Sequence, residues 1–265
     1  MCGRYTVVSK IEQIEKRFNV RSPLREFINP NVTIGELAPI ITKEKPKELQ
    51  FFQFGLTPHW AKKQMYVFNA RNEGERNKEN APDYRGNMGI MLKPMFKGLI
   101  RSQRCLVVAD AIIEGSKEEG LSKPYLIFPK DKKRPFAMAG VWDTWINPED
   151  GEEVNSFSIV TTPANELLQK IGHHRSPLVL PPHLESTWLN STRLADVTAI
   201  MNPFDHRFYN ANPIRPEIKS GKNKDRDLLK PTGDRLYKEY EFKVKRLSYS
   251  ERQKRRREDL HGKSD

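Results

Sequence analysis

The chain opens Met1-Cys2-Gly3-Arg4-Tyr5-Thr6-Val7-Val8, a stretch that reads as a short strand beginning almost at the first residue. Its anchor follows at once. Ser9-Lys10-Ile11-Glu12 matches a capping box, and Ile11, Ile14 and Phe18 fall on one helical face, so the pattern predicts a short helix over 10–18 that keeps the terminus from fraying. A cysteine directly after the initiator also has its own chemistry. If Met1 is trimmed, which a small second side chain permits, Cys2 carries a free α-amine with an ordinary pKa of about 7.7–8.0 beside a thiol of about 8.5. The amine condenses with an aldehyde to an imine, and the thiol then closes on the imine carbon to give a five-membered thiazolidine. No internal cysteine can do this. On position alone, an inert and frayed terminus is the better explanation of Cys2.

Composition narrows the classes. The 265 residues hold 37% hydrophobic side chains, enough for one substantial domain or two small ones. With 46 Lys and Arg against 34 Asp and Glu, the net charge of +12 favours a polyanionic partner, nucleic acid before membrane. Residues 216–265 hold 16 of these cations and 10 of the anions, about half the excess, so any groove on 1–215 must be a local arrangement. Two cysteines, Cys2 and Cys105, make neither a disulfide framework nor a zinc cluster. No run approaches 18 apolar residues and no signal peptide precedes Cys2, so a cytoplasmic, nucleoid-associated protein in a reducing compartment, without a membrane partner, is expected.

Further along, 36–43 and 49–56 read as a strand pair ending at Gly55-Leu56-Thr57-Pro58-His59-Trp60. Residues 69–87 are polar and without periodicity, as in a functional loop. A helical turn is expected over 94–102. Arg104-Cys105-Leu106-Val107-Val108-Ala109-Asp110 reads as a buried strand with Cys105 a small core residue, and Glu114 follows Ile112-Ile113, where a carboxylate needs a partner or a task. Strands are predicted at 123–129, 135–142 and 154–161. Thr162-Pro163 reads as a helix start, with the helix running to about Lys170 and stopped by Gly172. Short helices are expected near 183–189 and 192–201. Domain organisation is read as one domain over 1–215 and a basic extension over 216–265, partly helical or disordered.

Several enzyme classes fall away. Gly262-Lys263-Ser264 lacks the upstream glycine of a phosphate loop, and there is no Gly-x-Ser-x-Gly elbow. Adjacent His173 and His174 would point apart on a strand or lie about 100° apart on a helix, which suits no two-histidine metal site. No metal and no cofactor are expected. Polar groups at strand ends are what is left: Cys2, Asn69, Arg71, Glu114, His173 and Arg175.

These residues sit in ordered motifs: Met1-Cys2-Gly3-Arg4-Tyr5, Phe54-Gly55-Leu56-x-Pro58-x-Trp60, Asn69-Ala70-Arg71-x-Glu73, Arg104-Cys105-Leu106-Val107-x-Ala109-Asp110 with Glu114, Ala139-Gly140-Val141-Trp142-Asp143, Thr161-Thr162-x-Ala164-Asn165 and His173-x-Arg175-x-Pro177. Over about residues 1–212 the set resembles the SRAP family, the SOS-response-associated peptidases understood as abasic-site processing proteins of the DNA damage response. The resemblance implies an α+β fold, a single domain around a curved, barrel-like and mostly antiparallel sheet with short flanking helices, acting as a monomer. It implies that Cys2 captures the ring-opened aldehyde of an abasic site in single-stranded DNA as a thiazolidine, a lyase-type crosslinking reaction. In that reading His173, titrating near neutrality, moves a proton at the sugar ring oxygen. Glu114 takes the proton of the Cys2 ammonium, and Asn69 positions the terminus or the sugar. Arg4, Arg71 and Arg175 would clamp phosphates, and Trp60 would stack on a base or simply join the core.

The chain departs from the family pattern at Ala111-Ile112-Ile113-Glu114-Gly115, where an aromatic-rich Gly-Phe-Tyr-Glu-Trp is usual, and at Arg175-Ser176-Pro177 in place of Arg-Met-Pro. Two other readings stay open: an N-terminal-nucleophile cysteine peptidase, a hydrolase whose substrate is its own Met1-Cys2 bond, and a non-covalent nucleic-acid module acting through the basic tail.

Overall fold

The continuous apolar runs between residues 37 and 163 have nowhere to go but the two faces of a closed sheet. The computed structural model describes residues 2–131 and 134–238. In chain order it lays down β1 (Arg4–Val7), α1 (Ile11–Phe18), β2 (Asn29–Thr33), β3 (Leu37–Thr42), β4 (Gln50–Phe54) and β5 (Asn69–Arg71). A short α2 (Leu99–Ser102) leads into β6 (Arg104–Ala109), β7 (Ala111–Ser116), β8 (Gly120–Pro129), β9 (Phe136–Ile146) and β10 (Glu153–Pro163). Then come α3 (Glu166–Ile171), β11 (Arg175–Pro177), β12 (Val179–Leu180), α4 (Pro182–Asn190), α5 (Leu194–Ala199) and β13 (Tyr209–Pro213).

Five strands close on themselves. β10 pairs antiparallel with β9 from Glu153↔Ile146 to Ile159↔Gly140, β9 with β6, β6 with β3 and β3 with β4. β4 then runs parallel to β10 through Ser156↔Gln53 and Phe157↔Phe54, which completes a mixed barrel. β5 and β11 extend β10, and β12 extends β9. A second antiparallel sheet has the order β13-β8-β7-β1-β2. The architecture is thus α+β around a barrel-like sheet with few and short helices, as the family resemblance implied.

Every side chain of β6 is buried, which explains its unbroken apolar run, and Cys105 is a core residue. Its neighbour in the next strand has to be Gly140, because a Cβ there would stand 2.7 Å from the Cys105 Sγ. Arg104 is buried as well. Its guanidinium donates to the carbonyls of Ile100 (2.7 Å), Arg101 (2.9 Å) and Ser191 (2.6 Å), so one side chain ties the ends of α2 and α4 to the barrel.

Local signals were met with some changes. The first helix forms, but Lys10 and not Ser9 caps it, with Gln13 Oε1 accepting from the Lys10 N–H at 2.9 Å. Ser9 instead donates, with the N–H groups of Val8 and Ser9, to the Asp110 carboxylate. Thr162 and Pro163 complete β10, because they pair with Ser176 and Arg175. The helix starts later, at the cap Asn165, whose side chain accepts from Leu168 N at 3.0 Å, and ends at Gly172 with φ 83° as expected.

The chain beyond 215 does not leave the domain where composition shifts. Ile218 and Leu228 are buried in a second apolar cluster with Ala111, Ile113, Leu126, Phe128 and Ile214. Asn31 Nδ2 donates to the carbonyls of Ile218, Ser220 and Asn223, and Lys224 meets Glu36 at 2.6 Å. Residues 216–238 therefore pack as part of the domain, while the basic run near its end lies outside the described residues. Ile218→Ala, at a fully buried site, should lower unfolding stability by about 2–4 kcal/mol, and a chain ending at residue 215 should melt lower still. Thermal and denaturant melts of the two variants check this.

Candidate active site

The start of β1 reaches the site because of its neighbours. Tyr5 pairs with Ile112 and Thr6 with Ala111 in antiparallel register, which carries Cys2 and Gly3 toward Glu114 on β7. On its other edge β1 pairs with β2. Asn69, at the first position of β5, donates from Nδ2 to the Cys2 carbonyl at 2.9 Å, and its Oδ1 is buried without a partner among the described residues. His173 is delivered by the turn after α3, where Gly172 takes the left-handed conformation and its carbonyl accepts from Lys117 N at 2.9 Å.

Cys2, Glu114 and His173 are brought together, 2%, 3% and 6% exposed, with their ligand-type atoms within 4.8 Å of one another. His173 Nδ1 lies 2.7 Å from the Gly115 carbonyl. A carbonyl only accepts, so Nδ1 carries the proton and Nε2 presents a lone pair, 3.4 Å from Glu114 Oε2. Glu114 Oε1 has no hydrogen-bond partner among the described residues. Burial pushes the Glu114 carboxyl up to about 8 and the Cys2 thiol well above its usual value, the latter with help from the adjacent Glu114 charge. Burial also holds His173 down, to about 3. His173 is thus a neutral imidazole at physiological pH, not the group titrating near neutrality that its type suggested. Glu114 is the side chain here whose proton is exchangeable near pH 8.

His174 stacks on His173 with ring centroids 5.1 Å apart, since both sit in a turn where neither strand nor helix geometry separates them. The pair opens onto a groove of about 550 Å³ walled by Gly3, Ile34, Phe68, Glu114, Lys117 and His174, among others. Sequence reasoning missed Ile34, Phe68, Lys117 and His174; the only hint was the position of Phe68 beside Asn69. The groove also explains Gly115. A Cβ there would fall 1.8 Å from the Gly120 carbonyl oxygen, so the tight β7–β8 hairpin leaves no room for the large aromatic usual in the family.

The arginines are placed differently from expectation. Arg175 is buried and donates to both oxygens of Glu73, itself buried, and to Thr161 Oγ1 at 3.0 Å, so its fork is spent inside the protein. Arg4 donates to Asn31 Oδ1 at 2.8 Å and to the carbonyls of Ile218 (3.0 Å) and Lys219 (2.7 Å), which makes it a clasp on the 216–224 segment. Arg71 bonds to the Asn77 carbonyl and lies 3.3 Å from Glu73, with its side chain one-third exposed. Trp60 is not a core residue: it stands 55% exposed on a loop held by the His59 N–H donating to Asp143 at 2.9 Å.

A carboxyl that folds at about 8 binds a proton which the unfolded chain, at about 4.3, has already lost, so stability falls as pH rises between those values. Glu114→Gln should therefore raise the melting temperature, little at pH 4.5 and most above pH 8, with a gain on the order of a few kcal/mol. Thermal melts of both proteins across that range check the sign.

Comparison with known proteins identifies the family. The profile of the SOS response associated peptidase (SRAP) family matches residues 1–221. The abasic site processing protein YoqW of Bacillus subtilis (strain 168) is 28% identical over 238 residues, which covers 86% of this chain and 99% of that protein. The abasic site processing protein HMCES of Gallus gallus is 27% identical over 209 residues, 69% of this chain and 57% of that longer protein. A crystal structure of a Bacteroides thetaiotaomicron protein superposes with a TM-score of 0.73 at 28% identity, covering 87% of this chain and 99% of that one. A profile match over this length, on a barrel of this topology, settles the family: the chain belongs to the SOS response associated peptidase (SRAP) family.

Proposed function

We propose that this protein processes abasic sites in DNA, and that it does so by capturing the ring-opened aldehyde in single strands through Cys2 as a thiazolidine crosslink. The observation that carries the reading is the burial of a second-position cysteine against a carboxyl and an imidazole, where an ordinary terminus would be frayed. The relatives named abasic site processing proteins supply the substrate class. Removal of Met1, which lies outside the described residues, turns the Cys2 amide nitrogen into the amine the reaction needs.

The steps balance with the groups present. The Cys2 amine attacks the aldehyde carbon, and its excess proton passes to the Glu114 carboxylate. The protonated Glu114 returns that proton to the alkoxide oxygen to give the carbinolamine. A second proton moves from nitrogen to the hydroxyl by the same route as the hydroxyl leaves as water and gives the imine. The thiol sulfur then bonds the imine carbon while the thiol proton ends on nitrogen. Glu114 serves as both base and acid because its pKa of about 8 keeps both forms populated near neutrality. His173, fixed through Gly115, holds the carboxyl proton at Nε2 and positions Glu114. Asn69 holds the Cys2 carbonyl and so aims the terminus. Phe68 and Ile34 give the groove an apolar wall that would meet a neighbouring base. Lys117 on the same wall would meet a flanking phosphate, and Arg71, one-third exposed outside the groove lining, would meet another.

Cys2→Ala should abolish the heat-stable adduct on a denaturing gel with uracil-glycosylase-treated single strands, while an imine trapped by borohydride persists. A full-strength adduct without borohydride in that variant overturns the mechanism, and a peptidase without DNA chemistry would give no adduct from the wild type either. Glu114→Gln should slow crosslinking by about 10²–10⁴-fold below pH 8, with partial recovery at higher pH as solvent deprotonates the amine. His173→Gln, which keeps an acceptor, should retain more rate than His173→Ala; equal losses would make the imidazole itself the proton carrier.

A further inference from the structure

The Cys2 cluster has a second chemistry that aldehyde capture does not use. Its three donor types, thiol, imidazole and carboxylate, form a zinc-type set, and their ligand atoms lie within 4.8 Å of one another. Around a tetrahedral zinc ion, with bonds of about 2.0–2.3 Å, neighbouring ligand atoms stand roughly 3.3–3.7 Å apart. The His173 Nε2 to Glu114 Oε2 separation of 3.4 Å already has that spacing. The imidazole is oriented as metal-binding histidines usually are, with Nδ1–H donating to a backbone carbonyl and Nε2 turned to the site. An independent feature points the same way: Glu114 is 3% exposed, yet its Oε1 has no hydrogen-bond partner among the described residues.

We infer that the mature site binds one Zn²⁺ through Cys2 Sγ, His173 Nε2 and Glu114, with the Cys2 α-amine closing a five-membered chelate as the fourth donor. On binding, the thiol gives its proton to solvent, as do the carboxyl and the α-ammonium where they hold one, and no electrons are transferred. The amine and sulfur that would attack an aldehyde are then both occupied, so the ion holds the site in a masked, reversible state. The groove walled by Glu114 and His173 is the entry path. The fourth donor rests on the Met1 removal proposed above; the other three do not.

The test uses the full chain, with Met1 loss checked by intact mass, and CoCl₂ and ZnCl₂ as probes. Cobalt should bind at one equivalent and give thiolate-to-cobalt charge-transfer absorption with the d–d bands of a tetrahedral ion, and Zn²⁺ should displace it. Cys2→Ala should lose the charge-transfer band, and His173→Gln should weaken Zn²⁺ by more than the about 10–100-fold typical of losing an outer partner. Zn²⁺ should suppress crosslinking to abasic single strands, and EDTA should restore it. Absence of the band, or its persistence in a folded Cys2→Ala protein, overturns the inference. Crosslinking with no cobalt signal removes the metal site and keeps the abasic reading, whereas a cobalt signal without crosslinking does the reverse.

Discussion

The site depends on one constraint, that the first few residues are held inside a sheet and not left at its edge. β1 lies between β2 and β7, and Asp110, at the corner from β6 to β7, gathers the backbone of Val8 and Ser9 as β1 gives way to α1. Tyr5 packs edge-on to Phe54 with centroids 5.5 Å apart, so the short strand is also keyed into the barrel core. Without these contacts Cys2 would sample many positions, and the aldehyde capture proposed for it would gain nothing from the fold.

Holding that terminus creates an electrostatic problem which the protein solves by neutrality. A thiol, a carboxyl and an imidazole are packed together almost entirely out of reach of solvent, and charging any of them is costly. Burial moves each toward its uncharged form, so the thiol keeps its proton, the carboxyl loses its own only near pH 8 and the imidazole does not gain one. The neighbouring Arg175–Glu73 pair is a different solution to the same problem. There two polar side chains are buried, and a two-pronged contact satisfies them.

Beyond Pro216 the composition turns hydrophilic, yet Ile218 and Leu228 cover the outer side of the sheet that carries Glu114. Ile113 and Ala111 belong to that cluster, one and three residues from the carboxylate. The segment and the active strand thus share a core, and Arg4 fastens the segment from the strand that brings Cys2. What looks like a tail is partly the wall behind the site.

Much of this was legible in the chain. Local pattern determined the helix after β1, the buried strand at Arg104–Ala109, the barrel strands and the stop at Gly172, because propensity, periodicity and a left-handed cap act over a few residues. The ordered motifs pointed to Cys2, Asn69, Glu114 and His173, which the structure places around one point apart from Asn69, whose hold is on the Cys2 backbone. Protonation and partnership could not be read, since both depend on groups far away in sequence. His173 is held neutral by burial and its tautomer is set by the Gly115 carbonyl, 58 residues earlier, and Arg175 is consumed by Glu73, 102 residues earlier. Arg4 is taken up 214 residues on, by the carbonyl of Ile218. The sequence by itself determined which reactive groups the protein owns; only the tertiary structure decided which are charged, which are free and which are already used, because burial and partner geometry are properties of the packed chain and not of any stretch of it.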